Sequence, residues 1–320
     1  MNRRKKTLIV GGAGFVGNSL VQHFSEHSVE LIVADTQSRI DKYARQVPNC
    51  EYIPIKWPLE SEIPALQEVM NIVHLAWSSN PSTSMSDISD DTQRNVLGTV
   101  SLLQQVGGHD ISRFTFMSSG GTVYGNPTEN LVTEDSPTNP ISAYGISKLT
   151  CEKYLSLFAA RDKYKYLNIR LGNPYGEYQL QGTPIGVIAN FILKASNNEP
   201  FTVFGNGDIV RDFIHIDDVS TLLFLAMQQE IESGTYNLGS GIGYSVSEII
   251  DEIQGQIQNR INIASLPSRD SDVKQIVLDS RKIQSAVNYT PKISLTEGIS
   301  SLWQECLTLN KIGPALTLAA

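Results

Sequence analysis

Tyr144 and Lys148 stand four residues apart in the run Tyr144-Gly145-Ile146-Ser147-Lys148. On an α-helix that spacing puts both side chains on one face. A phenol takes a proton from a hydroxyl near neutrality only if its pKa, about 10 in water, falls by roughly three units, or ~4 kcal/mol. A neighbouring ammonium acts in that direction. Taken alone, an i,i+4 Tyr/Lys pair is more commonly a surface contact, so the rest of the chain has to decide its meaning.

A second group of residues supplies that context. Gly11-Gly12-Ala13-Gly14-Phe15-Val16-Gly17 follows an apolar run and opens a helix-like stretch. In such a turn the first glycine allows the tight bend and the second removes a side chain where backbone meets pyrophosphate. The third lets helix pack on strand. The exposed N–H groups and positive dipole end of the helix, at Phe15 and Val16, then favour a phosphate. The spacing is GxxGxxG. Asp35 ends the next apolar run, 18 residues after Gly17. A carboxylate there accepts from the ribose hydroxyls and repels a 2′-phosphate, which favours NAD over NADP; Arg39 nearby works against that preference. The plain structural alternative is a glycine-rich turn followed by a surface Asp. With NAD bound, the positive nicotinamide ring would join Lys148 in favouring the tyrosinate.

Short apolar runs recur at 7–10, 31–34, 51–55, 71–75, 113–117 and 168–171, with helical stretches at 15–24, 91–106 and 143–160. Strands alternating with helices predict a doubly wound parallel sheet of Rossmann type, in an α/β fold. The strands are apolar throughout, as expected when both faces are covered. From about Asn173 the alternation loosens, and Gly and Pro become frequent. The expected division is a dinucleotide-binding domain over 1–172, with 211–238 packing back on it. A smaller α/β substrate domain would comprise 173–210 and 239–320. Within it, 184–197 and 246–258 read as helices, and 201–204 and 275–277 as short strands. The tail after Asn310 is weakly patterned and expected to fray.

The chain has 320 residues, enough for two packed domains. With 41% hydrophobic and 18% charged residues it is globular in composition. Its 25 basic against 33 acidic residues give a net charge of -8, a poor match for nucleic acid or an anionic membrane. Cys50, Cys151 and Cys306 are far apart, which suggests neither disulfides nor a zinc site, and no metal is expected. No apolar run reaches the roughly 18 residues that span a bilayer. The basic start, Met1 to Lys6, lacks a signal peptide's apolar core and cleavage site. A cytoplasmic setting is therefore expected.

Read together, these motifs make the chain resemble the extended short-chain dehydrogenase/reductase family, especially its nucleotide-sugar epimerases. The matching series runs from Gly11 to about Gly298. Beyond the glycine turn and Asp35 it includes His74-Leu75-Ala76, Asn95-Val96-Leu97-Gly98-Thr99 and Ser118-Ser119-Gly120-Gly121-Thr122-Val123-Tyr124-Gly125. It continues with Tyr144-xxx-Lys148, Arg170 to Gly176, Arg211-Asp212-Phe213-Ile214-His215, and Arg269-xx-Asp272-Val273. The resemblance implies that Tyr144 is the general base and that Lys148 holds the nicotinamide ribose and depresses the Tyr144 pKa. It implies cofactor contacts at Gly11, Gly14, Phe15, Val16, Gly17, Asp35, Leu75, Ala76, Asn95, Ser118, Tyr144 and Lys148. Asn173, Phe204, Arg211, Arg269 and Asp272, with Thr122 and Tyr144, would meet the nucleotide sugar. The planar fork of arginine suits the diphosphate. A homodimer built on the two helical stretches 91–106 and 143–160 is also implied.

The chain departs from the pattern in several places. Gly120 stands where relatives carry a catalytic Ser or Thr, so Thr122, with Ser119 second, is expected to supply the hydroxyl. Gly121 and Thr122 replace the Asp-Glu pair of sugar dehydratases, which disfavours dehydration because that reaction needs an acid and a base there. Ile55-Lys56-Trp57-Pro58 replaces an Asp that meets adenine in relatives, so the expectation is either an altered cofactor affinity or an adenine held mainly by apolar contacts. Trp77 stands where a small residue is common and is expected to be packing. Ile276 stands where some epimerases have a size-limiting Tyr, so an N-acetylated sugar is conceivable. The reaction implied is C4 epimerisation of a nucleotide sugar such as UDP-glucose. The alternatives are reduction of a nucleotide-linked 4-keto-6-deoxy sugar and a non-catalytic NAD-binding regulator.

Overall fold

The computed structural model describes residues 6–180, 186–257, 260–268 and 273–312. Thirteen strands are named here in chain order: β1 (Lys6–Val10), β2 (Leu31–Asp35), β3 (Cys50–Pro54), β4 (Val69–His74), β5 (Arg113–Ser119), β6 (Lys165–Leu171), β7 (Asn173–Tyr175), β8 (Phe201–Phe204), β9 (Val210–His215), β10 (Gly234–Leu238), β11 (Gly243–Ser245), β12 (Ile263–Leu266) and β13 (Gln275–Ile276). Seven of them form one parallel sheet in the order β10-β6-β5-β4-β1-β2-β3. The chain runs outward from β1 to β3, then returns to the other side of β1 to lay down β4. The C-terminal ends of β1 and β4 therefore border a crevice, where α/β sheets bind ligands.

The apolar runs pack as a sheet covered on both sides requires. Successive residues point to opposite faces. Ile9 and Val33 join the helices Phe15–Glu26 and Ile216–Gln228 in one core, while Leu8, Val10 and Ile32 join the helices Gly98–Val106 and Ala143–Asp162 in the other. The helix Ile216–Gln228 packs on Phe15–Glu26, where the Ser19 and Ser220 hydroxyls lie 2.9 Å apart, and β10 completes the sheet edge. Ile283 and Val287 of the helix Arg281–Val287 lie in that same core, so this late segment returns to the large sheet although it falls within the expected 239–320 substrate domain.

A third core joins the helices Val187–Ser196, Val246–Gln256 and Leu295–Ile312 around Phe191, Phe201 and Ile249. Phe191 and Phe201 stack with centroids 4.3 Å apart. The expected 184–197 helix runs over Val187–Ser196, with Gly186 (φ +95°) as its N-cap; 184 and 185 lie outside the described residues, as does the tail after 312. The continuous helix expected over 91–106 is instead a short α-turn, a π-helical turn over Thr92–Leu97, and an α-helix from Gly98. A π-turn widens the helix by one residue and often marks a functional site.

One buried ion pair ties these layers together. The Arg170 guanidinium on β6 donates to both Glu152 oxygens at 2.8 and 3.0 Å. The same carboxylate accepts from Ser118 Oγ at 2.5 Å. Arg170 Nη1 donates to the Tyr124 hydroxyl at 2.9 Å, and that hydroxyl donates to Asn237 Oδ1 at 2.6 Å. Helix Ala143–Asp162, the turn after β5 and the edge strand β10 are thus held by one charge pair. Both side chains are almost completely buried, and removing one partner strands the other charge. Glu152→Ala should therefore destabilise the protein by about 3–5 kcal/mol, measured by urea unfolding; a cost below 1 kcal/mol would contradict this role.

Candidate active site

The site begins where β1 ends. Leu75 N and Ala76 N both donate to the Val10 carbonyl, at 2.8 and 2.9 Å. Gly11 follows in the left-handed region (φ +83°), and a Cβ there would sit 2.4 Å from Ala76 N. Glycine is required by both the dihedral and the space. The helix Phe15–Glu26 starts from Gly14 with no side-chain cap, so its first N–H groups face the crevice.

A cleft of about 500 Å³ runs from that turn toward Tyr144. Gly11, Gly14, Phe15, Val16, Gly17, Asp35, Leu75, Ala76, Ser118, Tyr144 and Lys148 all line it. Asp35 sits at one end, its oxygens accepting from Ala13 N at 3.0 Å and Thr36 N at 2.8 Å. Arg39 Nε lies 3.5 Å from the same carboxylate. Trp57 provides an apolar wall. Asn95, expected as a cofactor contact, is not among the residues that line the cleft. It is fully buried, accepting from Ser78 N and donating to Asp91 Oδ1, both at 2.9 Å, and to Ser79 Oγ at 3.0 Å. It anchors the loop beneath the cleft and has no hydrogen-bonding capacity left for a ligand.

A second pocket of about 250 Å³ adjoins the first and shares Phe15, Ser119, Tyr144, Gly172 and Pro174 with it. Thr122, Asn173, Arg211 and Phe213 line it. Strand alternation along β9 explains the last two. It turns Arg211 and Phe213 to the pocket and Asp212 to the opposite side. There the Asp212 carboxylate holds the 240–241 turn through Ser240 N, Ser240 Oγ and Gly241 N, and also accepts from Leu278 N. Arg269 and Asp272 lie outside the described residues. Phe204 is not among the residues that line the pocket; it lies on β8, which pairs with β12 in a separate two-stranded sheet. Ile276 is buried in a small core with Val123, Tyr124 and Leu278, so it does not gauge a sugar substituent; Val273 reaches the pocket instead.

Tyr144 stands on the wall common to both spaces, on a helix whose cap is Ser142, with Ser142 Oγ accepting from Gly145 N at 3.2 Å. Burial pushes its phenol up to about 12, with the Ser119 hydroxyl opposing that shift and the Asp91 carboxylate adding to it. Burial pushes Lys148 down to about 7, against the pull of Cys151, Asp91 and Glu152. The Lys148 ammonium donates to the Met117 carbonyl at 2.7 Å and lies 5.6 Å from the Tyr144 ring centroid. Among the protein's own groups, burial sets the direction for the Tyr144 phenol, while the Lys148 ammonium is committed to a carbonyl. Trp77 packs against the second core, as expected, and does more. It lines the cleft, its ring centroid 3.6 Å from Lys148 Nζ and 5.8 Å from the Tyr144 ring.

The hydroxyl question is narrowed as well. Ser119 and Thr122 both line the smaller pocket, and Ser119 is the one whose hydroxyl bears on Tyr144. Thr122 Oγ1 has no hydrogen-bond partner among the described residues. Both hydroxyls expected from the sequence therefore stand in the pocket that Tyr144 lines.

Residues 7–239 match the NAD dependent epimerase/dehydratase family. The chain belongs to that family. A protein of Methanocaldococcus jannaschii provisionally named a UDP-glucose 4-epimerase is 34% identical over 91% of this chain and 95% of its own. The dTDP-4-dehydro-6-deoxyglucose reductase of Escherichia coli is 28% identical over 94% and 97%. A solved UDP-glucose 4-epimerase of Thermotoga maritima with UDP-glucose is 28% identical, with a TM-score of 0.84 over 95% of this chain and 99% of that one.

The protein is an NAD-dependent enzyme of the extended short-chain dehydrogenase/reductase type, and its cleft suits that family's cofactor. The uncapped helix start meets a pyrophosphate, the Asp35 carboxylate stands at the ribose end, and the apolar Trp57 wall suits a base. Among the described residues no cluster of His, Cys, Asp or Glu forms a metal site, and no helix is long and apolar enough to cross a membrane.

Gly120 has a steric explanation. A Cβ there would come 2.5 Å from Leu278 Cδ1 and 2.9 Å from the Arg170 carbonyl oxygen. The site's hydroxyl must therefore come from another position. Gly120→Ser should cost about 1–3 kcal/mol of stability through overpacking, read as a lowered thermal midpoint; an unchanged midpoint would show that the turn has room.

Proposed function

We propose that the protein is an NAD-dependent nucleotide-sugar 4-epimerase, interconverting UDP-glucose and UDP-galactose or their N-acetyl forms through a transient 4-keto sugar. The observation that carries this reading is the position of Tyr144 on the wall between the cleft and the smaller pocket. A sugar in that pocket presents its hydroxyl to the phenol while its carbon faces the cleft. NAD+ supplies reversible hydride acceptance at that carbon. Tyr144 takes the proton of the 4-hydroxyl and returns it when the hydroxyl is re-formed, assisted by Ser119. Arg211 and Asn173 hold the diphosphate, and Arg269, Asp272 and Phe204 remain part of the proposed substrate set on the resemblance. An anchor separate from the reacting ring lets the sugar turn and present its other face.

The names of the M. jannaschii and T. maritima proteins support this reading. The E. coli reductase relative supports a second one, reduction of a 4-keto-6-deoxy sugar with the same Tyr144 and Lys148. Pure protein incubated with UDP-glucose and no added cofactor should form UDP-galactose, with Tyr144→Phe slower by about 10²–10⁴-fold in kcat. Turnover that consumes added reduced cofactor stoichiometrically would instead establish the reductase.

The quaternary proposal is a homodimer formed by the helix Ala143–Asp162 and the helical run before it. Ile146 and Leu157 share a stripe of the first and are 55% and 62% exposed, beside Leu97 at 55%. An exposed apolar stripe of that kind marks an interface, and a second copy offers the same self-complementary face. Sedimentation should show a dimer that the pair Ile146→Glu and Leu157→Glu converts to monomer. A monomeric parent protein would refute the proposal. In this setting the enzyme works in the cytoplasm.

A further inference from the structure

We propose that Trp77 is a positioning residue of this site, holding the Lys148 ammonium on its indole face and bracing the Tyr144 ring with its edge. Lys148 Nζ lies 3.6 Å from the Trp77 ring centroid, and the Trp77 and Tyr144 rings meet edge to face at 5.8 Å and 73°. Phe116 adds a second, more distant aromatic face at 5.0 Å.

The reason Lys148 needs such a face is electrostatic. The side chain is buried, and its hydrogen bond to the protein goes to a neutral acceptor, the Met117 carbonyl. The acidic groups around it are engaged elsewhere. Asp91 accepts from Ser147, Asn95 and Ser79. Glu152 on the same helix is committed to Arg170 and Ser118. Cys151, Tyr144 and His74 complete the titratable surroundings. Burial pushes the Cys151 thiol up to about 12 and His74 down to about 3, so both are neutral at pH 7. An aromatic face in a desolvated site adds its attraction for the cation to that of the Asp91 and Glu152 carboxylates, neither of which gives Lys148 a hydrogen bond. Trp77 thus keeps Lys148 charged against a burial that favours the neutral amine, and keeps that charge beside Tyr144.

This inference rests on the acid–base roles proposed above, and its test separates the two. Protein labelled with 13C at lysine Cε is titrated by NMR, with the Lys148 signal identified by its loss in Lys148→Met. Trp77→Leu should shift the Lys148 titration to lower pH by about one unit, a tenfold loss of protonation at a given pH. Activity that needs the ammonium is then lost at lower pH on the alkaline side, so the alkaline limb of kcat/KM moves down with the titration. Trp77→Phe, which keeps an aromatic face, should shift both in the same direction by less. An unmoved Lys148 titration in a folded Trp77→Leu protein overturns the inference, as does equal loss of activity in both variants without any titration shift. If Trp77→Leu does not fold, Trp77→Phe decides: a downward shift supports the proposal, and an unchanged or raised titration overturns it. A shift in a protein that epimerises no nucleotide sugar would sustain the role of Trp77 and defeat the proposed function.

Discussion

The site depends on how closely two parallel strands end. Val10 gives its carbonyl to both Leu75 N and Ala76 N, and the turn that leaves β1 has to pass over that junction. Only a residue without a side chain, and with φ near +83°, makes the passage. The rest follows from that bend. It aims an uncapped helix start into the crevice, leaves Asp35 at one rim, and brings the loop with Trp77 under Lys148. The reversal of strand order between β1 and β4 creates the crevice; the Gly11 turn keeps it open.

The second constraint is desolvation. On the wall between two cavities Tyr144 is half-buried and Lys148 buried, and desolvation drives both toward their neutral forms, the phenol up to about 12 and the amine down to about 7. The apparatus around them consists of partners that bias that balance: a serine hydroxyl for the phenol, and a carbonyl and an indole face for the ammonium. Carboxylates are near but held by other groups. A pair tuned in this way answers strongly to any further charge placed in the cleft, because little water remains to screen it. The positive nicotinamide ring is such a charge.

Much of this was legible in the sequence. Six apolar runs became six strands of the large sheet; five are largely buried, as strands covered on both faces are, and the edge strand β3 is not. The glycine turn, Asp35 and the Tyr144–Lys148 pair are local patterns, and the cleft gathers them. What the sequence did not show is what depends on distant contacts. Gly120 reads as a missing hydroxyl until Leu278 and the Arg170 carbonyl are seen against it. Trp77 reads as packing until Lys148, 71 residues later, lies on its face. Asn95 belongs to the same motif series as the cofactor contacts, yet it sits in the π-turn with its amide bonded to Ser78 and Asp91. Strand β10 was not singled out by its pattern and is placed by pairing with β6.

The central claim is that hydrogen leaves C4 and returns to the same carbon on its other face within one closed site. UDP-glucose carrying deuterium at C4 tests it most directly. The account predicts UDP-galactose with the deuterium still at C4, no exchange with solvent, and no accumulating oxidised sugar. Loss of the label to water, or release of a 4-keto product, would contradict it.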